Sequence, residues 1–441
     1  MIGNFTKNTL YTLVTRILQL LLGIVTSIII ARVIGPKGKG IHTLAILLPM
    51  LLITFANFGI GPASVYYIGK KKYALQEIFG GNIIFSILIS VSAIIAGLIV
   101  VYFFSNKMFP GVEKEYLLLA LCIIPFQLFL TFIVSILLGL QEIKKYNYIN
   151  LIRNFIFLFL IVILLLGFKY RIRAVIFAQA ISSMFVCIAL FFLVKKEVGG
   201  IILKINKSLF KDFFIYGSKI YLTNILAFLH LRIDIFMINI FLNPIEVGFY
   251  SIAVGLSEKI WLISQSAGTV LFPKVCSETD KKKLKEFTPL VCRNVLGITI
   301  FISILLYFLG SHIIVLFYSK QFYKSVLPFQ ILLIGVIAIS GSRILANDLS
   351  GRGRLQENIY INTFSVILNI ILNLILIPKF GIKGAAWATT ISYNVTFLIR
   401  LLIYSKISGN KTKEIIIIQK SDIALYRNIF SALVRHVMGM L

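Results

Sequence analysis

Twelve mainly apolar runs, set apart by short polar and basic segments, organise this chain from end to end. They cover about 10–34, 41–66, 79–104, 116–139, 149–168, 174–194, 210–241, 247–272, 290–318, 326–350, 359–377 and 383–405. A bilayer core of about 30 Å is crossed by roughly 20 apolar residues of α-helix. Backbone polar groups in hydrocarbon must bond within their own segment, so each run predicts one helix. The pattern therefore predicts an all-α integral membrane protein with about 12 transmembrane helices.

The pattern also repeats. Ile34-Gly35-Pro36-Lys37-Gly38-Lys39-Gly40 after the first run returns, 208 residues later, as Leu242-Asn243-Pro244-Ile245-Glu246-Val247-Gly248. Tyr148-Ile149-Asn150 recurs as Tyr360-Ile361-Asn362, and Ile172, Ala178, Ile181 and Ser182 recur as Ile382, Ala388, Ile391 and Ser392. Registers this similar indicate duplication. Six runs in each half is an even number, so both halves enter the bilayer from one side and the repeats are parallel. The expected division is an N-terminal six-helix lobe at 1–198, a cytoplasmic linker at 199–209, a C-terminal six-helix lobe at 210–408 and a basic amphipathic cytoplasmic tail at 409–441. Thr6, Lys7 and Asn8 lead into a full-length run with no small-residue cleavage pattern, so no cleaved signal peptide is expected.

Composition agrees with the membrane reading: 59% of residues are hydrophobic and 14% charged. With the N terminus in the cytoplasm, the inner segments hold 24 of the 44 Lys and Arg residues and the outer loops 11. The excess of basic residues in cytoplasmic loops then places both termini inside. The net charge of +28 is thus mostly topological and does not point to nucleic acid. No G-x-x-x-x-G-K-[ST] loop is present, which argues against ATP hydrolysis. Nor is there a soluble domain to bind a nucleotide sugar. Cys122, Cys187, Cys276 and Cys292 lack metal or redox spacing, and His42, His230, His312 and His436 are scattered, so no metal site is expected. These exclusions leave a transporter rather than an enzyme.

Nine basic residues fall within the runs or at their margins. Arg32, Arg293 and Arg400 lie near run ends and are expected to reach the headgroups. Arg16, Arg153, Lys219, Arg232, Lys259 and Arg343 lie deeper, with only Asp234, Glu258 and Asp348 to neutralise them. Charges at that depth face a bundle interior or an aqueous cavity. On the first run Thr12, Arg16, Gln19, Gly23, Thr26 and Ser27 share one helical face; on the seventh, Tyr216, Lys219, Thr223, His230 and Asp234 do so. Two such stripes in repeat-equivalent helices read as walls of a central cavity, or else as polar glue between helices. The candidate cavity residues are Arg16, Gln19, Arg153, Lys219, Lys259 and Arg343. His230 and Asp234 are the candidates for ion coupling. On the eleventh run Asn362, Ser365, Asn369 and Asn373 share a face better suited to hydrogen bonding between helices. A cationic, wet cavity suits an anionic substrate such as a diphosphate, which arginine grips in a bidentate fork.

Ala31-Arg32-Val33-Ile34-Gly35-Pro36-Lys37-Gly38-Lys39-Gly40 resembles the motif that closes the first span of bacterial polysaccharide flippases. Phe58-Gly59, Tyr66-Tyr67-Ile68 and Leu271-Phe272-Pro273 resemble further family positions. The segment from Asn373 through Ile377-Pro378-Lys379-Phe380-Gly381-Ile382-Lys383-Gly384-Ala385-Ala386 to Thr389 is similar to the signature of the O-antigen and capsule flippases. Residues 1–405 thus resemble the oligosaccharide flippases of the multidrug/oligosaccharidyl-lipid/polysaccharide exporter superfamily. The resemblance implies two six-helix lobes in a V, working by alternating access in the bacterial plasma (inner) membrane. It implies an undecaprenyl-diphosphate-linked oligosaccharide as cargo and surface polysaccharide biosynthesis as the process, with a polysaccharide polymerase and glycosyltransferases as partners. Beyond H+ or Na+ coupling no cofactor is expected. The rival readings are a multidrug exporter, a lipid II flippase and a non-transporting scaffold. A first run with Arg16 and no acid disfavours the first. The second group commonly has fourteen spans, whereas the tail here offers only a short interfacial segment at 423–441.

Overall fold

The computed structural model describes residues 2–167, 171–204, 206–278, 280–419 and 422, and the described residues form helices joined by short turns. The helices are α1 (Ile2–Ala56), α2 (Ile60–Lys70), α3 (Leu75–Ile99), α4 (Ser105–Met108), α5 (Lys114–Leu121), α6 (Ile124–Gly139), α7 (Ile143–Ile161) and α8 (Arg171–Val198). Then follow α9 (Lys207–Phe241), α10 (Pro244–Ser257), α11 (Trp261–Ser277), α12 (Lys281–Ile313), α13 (Val326–Gly351), α14 (Leu355–Phe380), α15 (Ile382–Ser408) and α16 (Thr412–Ile416).

Among the described residues, ten helical segments are long and apolar enough to cross a membrane. The first of them, Val14–Ala56, holds the first expected run and the start of the second, which continues into α2. Its two helices meet at Gly35, whose φ of 67° is open to glycine but costly for other residues, and Pro36 then starts the second helix. The expected eighth run falls on α10 and α11, which are parted by a 3-10 turn at Glu258–Ile260 and are not among the ten. Large apolar side chains such as Phe103, Phe192, Phe301 and Phe308 stand outward, more than 60% exposed, as hydrocarbon-facing positions should. The chain is a multi-pass membrane protein.

Chain contacts divide the molecule into two compact units, Met1–Ile252 with Ile313–Ser325, and Ala253–His312 with Val326–Leu441. In the first unit, Ile30 of α1 packs with Ile161, Leu165, Ala174, Val175 and Ala178. Here the sequence repeat has a physical counterpart. A Cβ on Gly40 would stand 1.6 Å from Pro244 O, and a Cβ on Gly248 would stand 2.0 Å from Pro36 O. The two repeat-equivalent turns therefore touch backbone to backbone, and only glycine fits at either contact. Arg32, exposed near the same turn, donates to Phe317 O at 2.7 Å and to Leu316 O. A second repeat mark is π-helical: Val100–Phe104 after α3 and Ile314–Tyr318 after α12 occupy equivalent places.

The second unit is built around Leu271, Cys292, Leu345, Leu349 and Tyr404. Helices α14 and α15 approach closely, because a Cβ on Gly384 would meet Leu376 O at 2.1 Å and Ala385 and Ala386 are fully buried. The polar face of the eleventh run is glue, as expected: Asn369 donates to Thr389 Oγ1 at 3.5 Å and Ser365 shares a hydrogen bond with Thr396. The expectation that Arg293 and Arg400 reach the headgroups is corrected. Arg400 is 3% exposed and donates to Ser342 and to Asn362 Oδ1 at 2.8 Å. Arg293 is 5% exposed and grips Asp422 of the tail with Nε and Nη2 at 2.7 and 2.8 Å. That fork holds the Asp422 carboxyl below the usual carboxylate range. The tail is thus strapped to α12 at Asp422; the expected interfacial segment 423–441 lies outside the described residues.

Candidate functional site

Polar side chains on four helices of the first unit converge on a cavity of about 530 Å³. Helix α1 lines it twice: Gly23, Thr26 and Ser27 come from before the bend at Gly35, and Lys39, His42 and Thr54 from after it. Gln127 and Thr131, one turn apart, come from α6, Arg153 and Asn154 from α7, and Gln179, Ser182 and Ser183 from α8. Phe157 and Phe228 add aromatic faces. Helical spacing explains these sets, because residues three and four apart share a face. Gln127 Nε2 donates to Ser183 Oγ at 3.2 Å, which ties α6 to α8 at the wall. Lys39 and Arg153 are the basic residues of the lining, and no carboxylate is among its described residues. His42 is buried and neither ring nitrogen has a hydrogen-bond partner among the described residues. A second cavity, of about 350 Å³, adjoins α2, α6 and α7 and shares Thr131 and Arg153 with the first. Both volumes are typical of ligand pockets.

Of the residues singled out in the sequence, Arg153 reaches the cavity together with the upper part of the first stripe. The lower part does not. Arg16 and Gln19 are half-buried on α1 outside the lining, and Thr12 Oγ1 accepts from Asn147 of α7 at 2.9 Å. On α9, Tyr216 stacks on Tyr66 with centroids 4.2 Å apart. The side chain of Lys219 lies outside the described residues. His230 and Asp234 are buried on the same helix, and Asp234 accepts from Tyr250 Oη at 2.6 Å and from Ile235 N at 2.7 Å. Lys259 and Arg343 belong to the second unit. Lys259 is exposed on the 3-10 turn, and the Arg343 guanidinium lies 3.9 Å from the centre of the Trp261 ring, in cation–π range. Among the described residues no group of three or more His, Cys, Asp or Glu gathers to hold a metal.

The sequence reading missed His42, Gln127, Asn154 and Gln179. A lone histidine carries no spacing signal, but Gln127, Thr131 and Ser135 at four-residue steps, and Asn150, Arg153 and Asn154 on one face, were legible as polar stripes. At the lysine-rich end of α2, Lys72 pairs with Asp212, which also accepts from Tyr73 Oη at 2.6 Å. The hydrogen bond to Asp212 holds the Lys72 ammonium above its usual pKa.

Several known proteins are similar to this chain. A capsular polysaccharide biosynthesis protein of Staphylococcus aureus is 23% identical over 91% of this chain and 99% of its own length. A probable low-salt glycan biosynthesis flippase of Haloferax volcanii is 27% identical over 42% of this chain and 40% of its own. The lipid II flippase in its inward closed conformation superposes with a TM-score of 0.76 at 18% identity, covering 91% of this chain and 90% of that one. At that identity the likeness establishes the fold alone. Residues 5–278, more than half of the sequence, match the family model described as polysaccharide biosynthesis protein, and the chain therefore belongs to that family.

Proposed function

We propose that this chain carries an undecaprenyl-diphosphate-linked oligosaccharide from the inner to the outer leaflet of the plasma membrane for surface polysaccharide assembly. On this reading the lobes at 1–198 and 210–408 open alternately to the two sides, and both termini are cytoplasmic. The observation that carries the proposal is the lining of the larger cavity: Lys39 and Arg153 with no carboxylate among its described residues. Such a wall attracts an anion and repels a cation. Arg153 is the diphosphate clamp, because its fork matches phosphate oxygens bidentately. Gln127, Asn154 and Gln179 offer donors and acceptors to sugar hydroxyls. Arg16, Gln19, Lys219, Lys259 and Arg343 serve as further cationic and polar contacts as the lobes move, and His230 with Asp234 couples transport to a proton.

The nearest rival, extrusion of organic cations, needs a carboxylate facing the cargo. Asp234 is instead bonded to Tyr250 and to the backbone of Ile235, away from the cavity lining. Equilibrium binding to the purified chain in nanodiscs separates the two readings. A polyprenyl-diphosphate oligosaccharide should bind, and Arg153→Ala should weaken it roughly tenfold or more, as expected for a lost charge-assisted contact. Arg153→Lys should lie between. A lipophilic cation that competes with the glycolipid, or an Arg153→Ala protein that binds like the parent, overturns the proposal.

A further inference from the structure

The two cavities of the first unit lie end to end along the same helices. Ile123, just before α6, and Gln127 and Thr131 on it line the larger one, and Thr131, Val134 and Leu138 line the smaller. On α7, which follows α6 through a short turn at 140–142, the order reverses: Tyr146, Asn150 and Arg153 line the smaller cavity, then Arg153, Asn154 and Phe157 the larger. Thr131 and Arg153 are the two residues common to both linings. At 1.5 Å per residue, the stretch from Ile123 to Leu138 covers about 22 Å of helix. That is most of a hydrocarbon core of about 30 Å. On the orientation proposed above, the smaller cavity faces the cytoplasmic half of the bilayer and the larger one the outer half.

We infer that the smaller cavity is an entry station for the anionic head group, and that Arg153 hands the diphosphate from this station to the larger cavity without releasing it. The inference rests on the flippase reading of the larger cavity and adds a second binding site to it. The physical reason is electrostatic. A diphosphate crossing low-dielectric surroundings needs a counter-charge at every stage, and desolvation without one is prohibitive. A guanidinium shared by both chambers supplies it by swinging about a flexible stem, while the wall residues on either side exchange. Like the larger cavity, the smaller one has no carboxylate among its described lining residues. Its remaining polar groups, Ser135, Tyr146 and Asn150 among them, can bond to oxygens but do not compete for Arg153 as an anion would.

The test fills one chamber at a time in the full chain. Leu138→Trp and, from another helix, Val65→Trp narrow the smaller cavity; Ile46→Trp narrows the larger. The probe is a polyprenyl diphosphate without sugar, measured for equilibrium binding in nanodiscs, while transport of the sugar-bearing lipid is followed in proteoliposomes. Both inner fillings should weaken binding roughly tenfold and abolish transport, whereas Ile46→Trp should keep binding within about twofold while transport falls roughly tenfold. Thermal midpoints and gel-filtration profiles of the variants establish that they are folded. Parent-like binding in both inner-filled proteins, with Arg153→Ala still impaired, overturns the two-station inference and leaves the flippase reading standing. Equal loss of binding in all three fillings overturns it as well, since it indicates one undivided site. Displacement of the probe by plain phosphatidylglycerol at matching concentration shows that the smaller cavity holds bilayer lipid, and this too overturns it. If Arg153→Ala binds the probe like the parent, the flippase reading fails first.

Discussion

Gly40→Ala is the substitution whose effect follows most directly from the packing. The added methyl would stand 1.6 Å from Pro244 O and 2.9 Å from Gly248 N, where ordinary contact begins near 3.4 Å. The turns must therefore part by about 2 Å. Both obstacles are backbone atoms, so no rotamer change relieves the clash. Overpacking of this kind costs about 1–3 kcal/mol. Converted at 1.36 kcal/mol per decade, amides of segments 36–41 and 244–249 should exchange with deuterium roughly 5- to 160-fold faster than in the parent. Gly248→Ala should act alike, because its Cβ would meet Pro36 O at 2.0 Å. Gly255, further along α10, has nothing within 4 Å of its would-be Cβ, and Gly255→Ala serves as the control. There alanine should slow local exchange slightly, being the better helix former by about 0.5–1 kcal/mol. The measurement is exchange mass spectrometry in detergent. Parent-like exchange in Gly40→Ala would refute the backbone contact between the repeat-equivalent turns.

Three further outcomes follow from individual side chains. His42→Leu should be at least as thermally stable as the parent, since a buried ring without hydrogen-bond partners among the described residues costs about 1–3 kcal/mol; a lower thermal midpoint would contradict this. Asp422→Asn should release the tail from α12, read as faster proteolysis within 409–419, because it leaves the buried Arg293 without its ion partner. The Asp422 pKa is depressed in the folded chain, so its contribution is fully present above the ordinary carboxylate pKa of about 3.9 and is lost as the pH falls through the lowered value; tail docking should be constant from about pH 5 to 8, and tail release on going from pH 8 to 6 would refute the assignment. If His230 and Asp234 couple transport to protons, an imposed pH gradient should speed the parent and leave Asp234→Asn unchanged; equal rates in all four conditions would exclude the pair.

The sequence made the architecture legible because lipid leaves the backbone few options. Each apolar run of sufficient length had to become helical, and the eleventh run's asparagine face suited pairing across helices, as Asn369 and Thr389 do. What it hid were partners distant in the chain. Arg293 meets Asp422 at a separation of 129 residues and Arg400 meets Ser342 at 58, so their positions near run ends suggested headgroups instead. The first stripe was half right for the same reason. Its face was visible from helical spacing, but which part met a cavity and which met Asn147 of α7 depended on the placement of another helix. His42 was invisible because its significance is an absence of partners, which only packing reveals.

The most direct measurement is translocation itself. The purified chain is reconstituted alone into liposomes loaded on one leaflet with a fluorescent undecaprenyl-diphosphate oligosaccharide, and the arrival of glycan at the other leaflet is read with an impermeant lectin or quencher. The account predicts transfer that depends on the chain, is retained in part by Arg153→Lys and is lost in Arg153→Ala. Transfer no faster than in empty liposomes, or equal in the parent and Arg153→Ala, would contradict it.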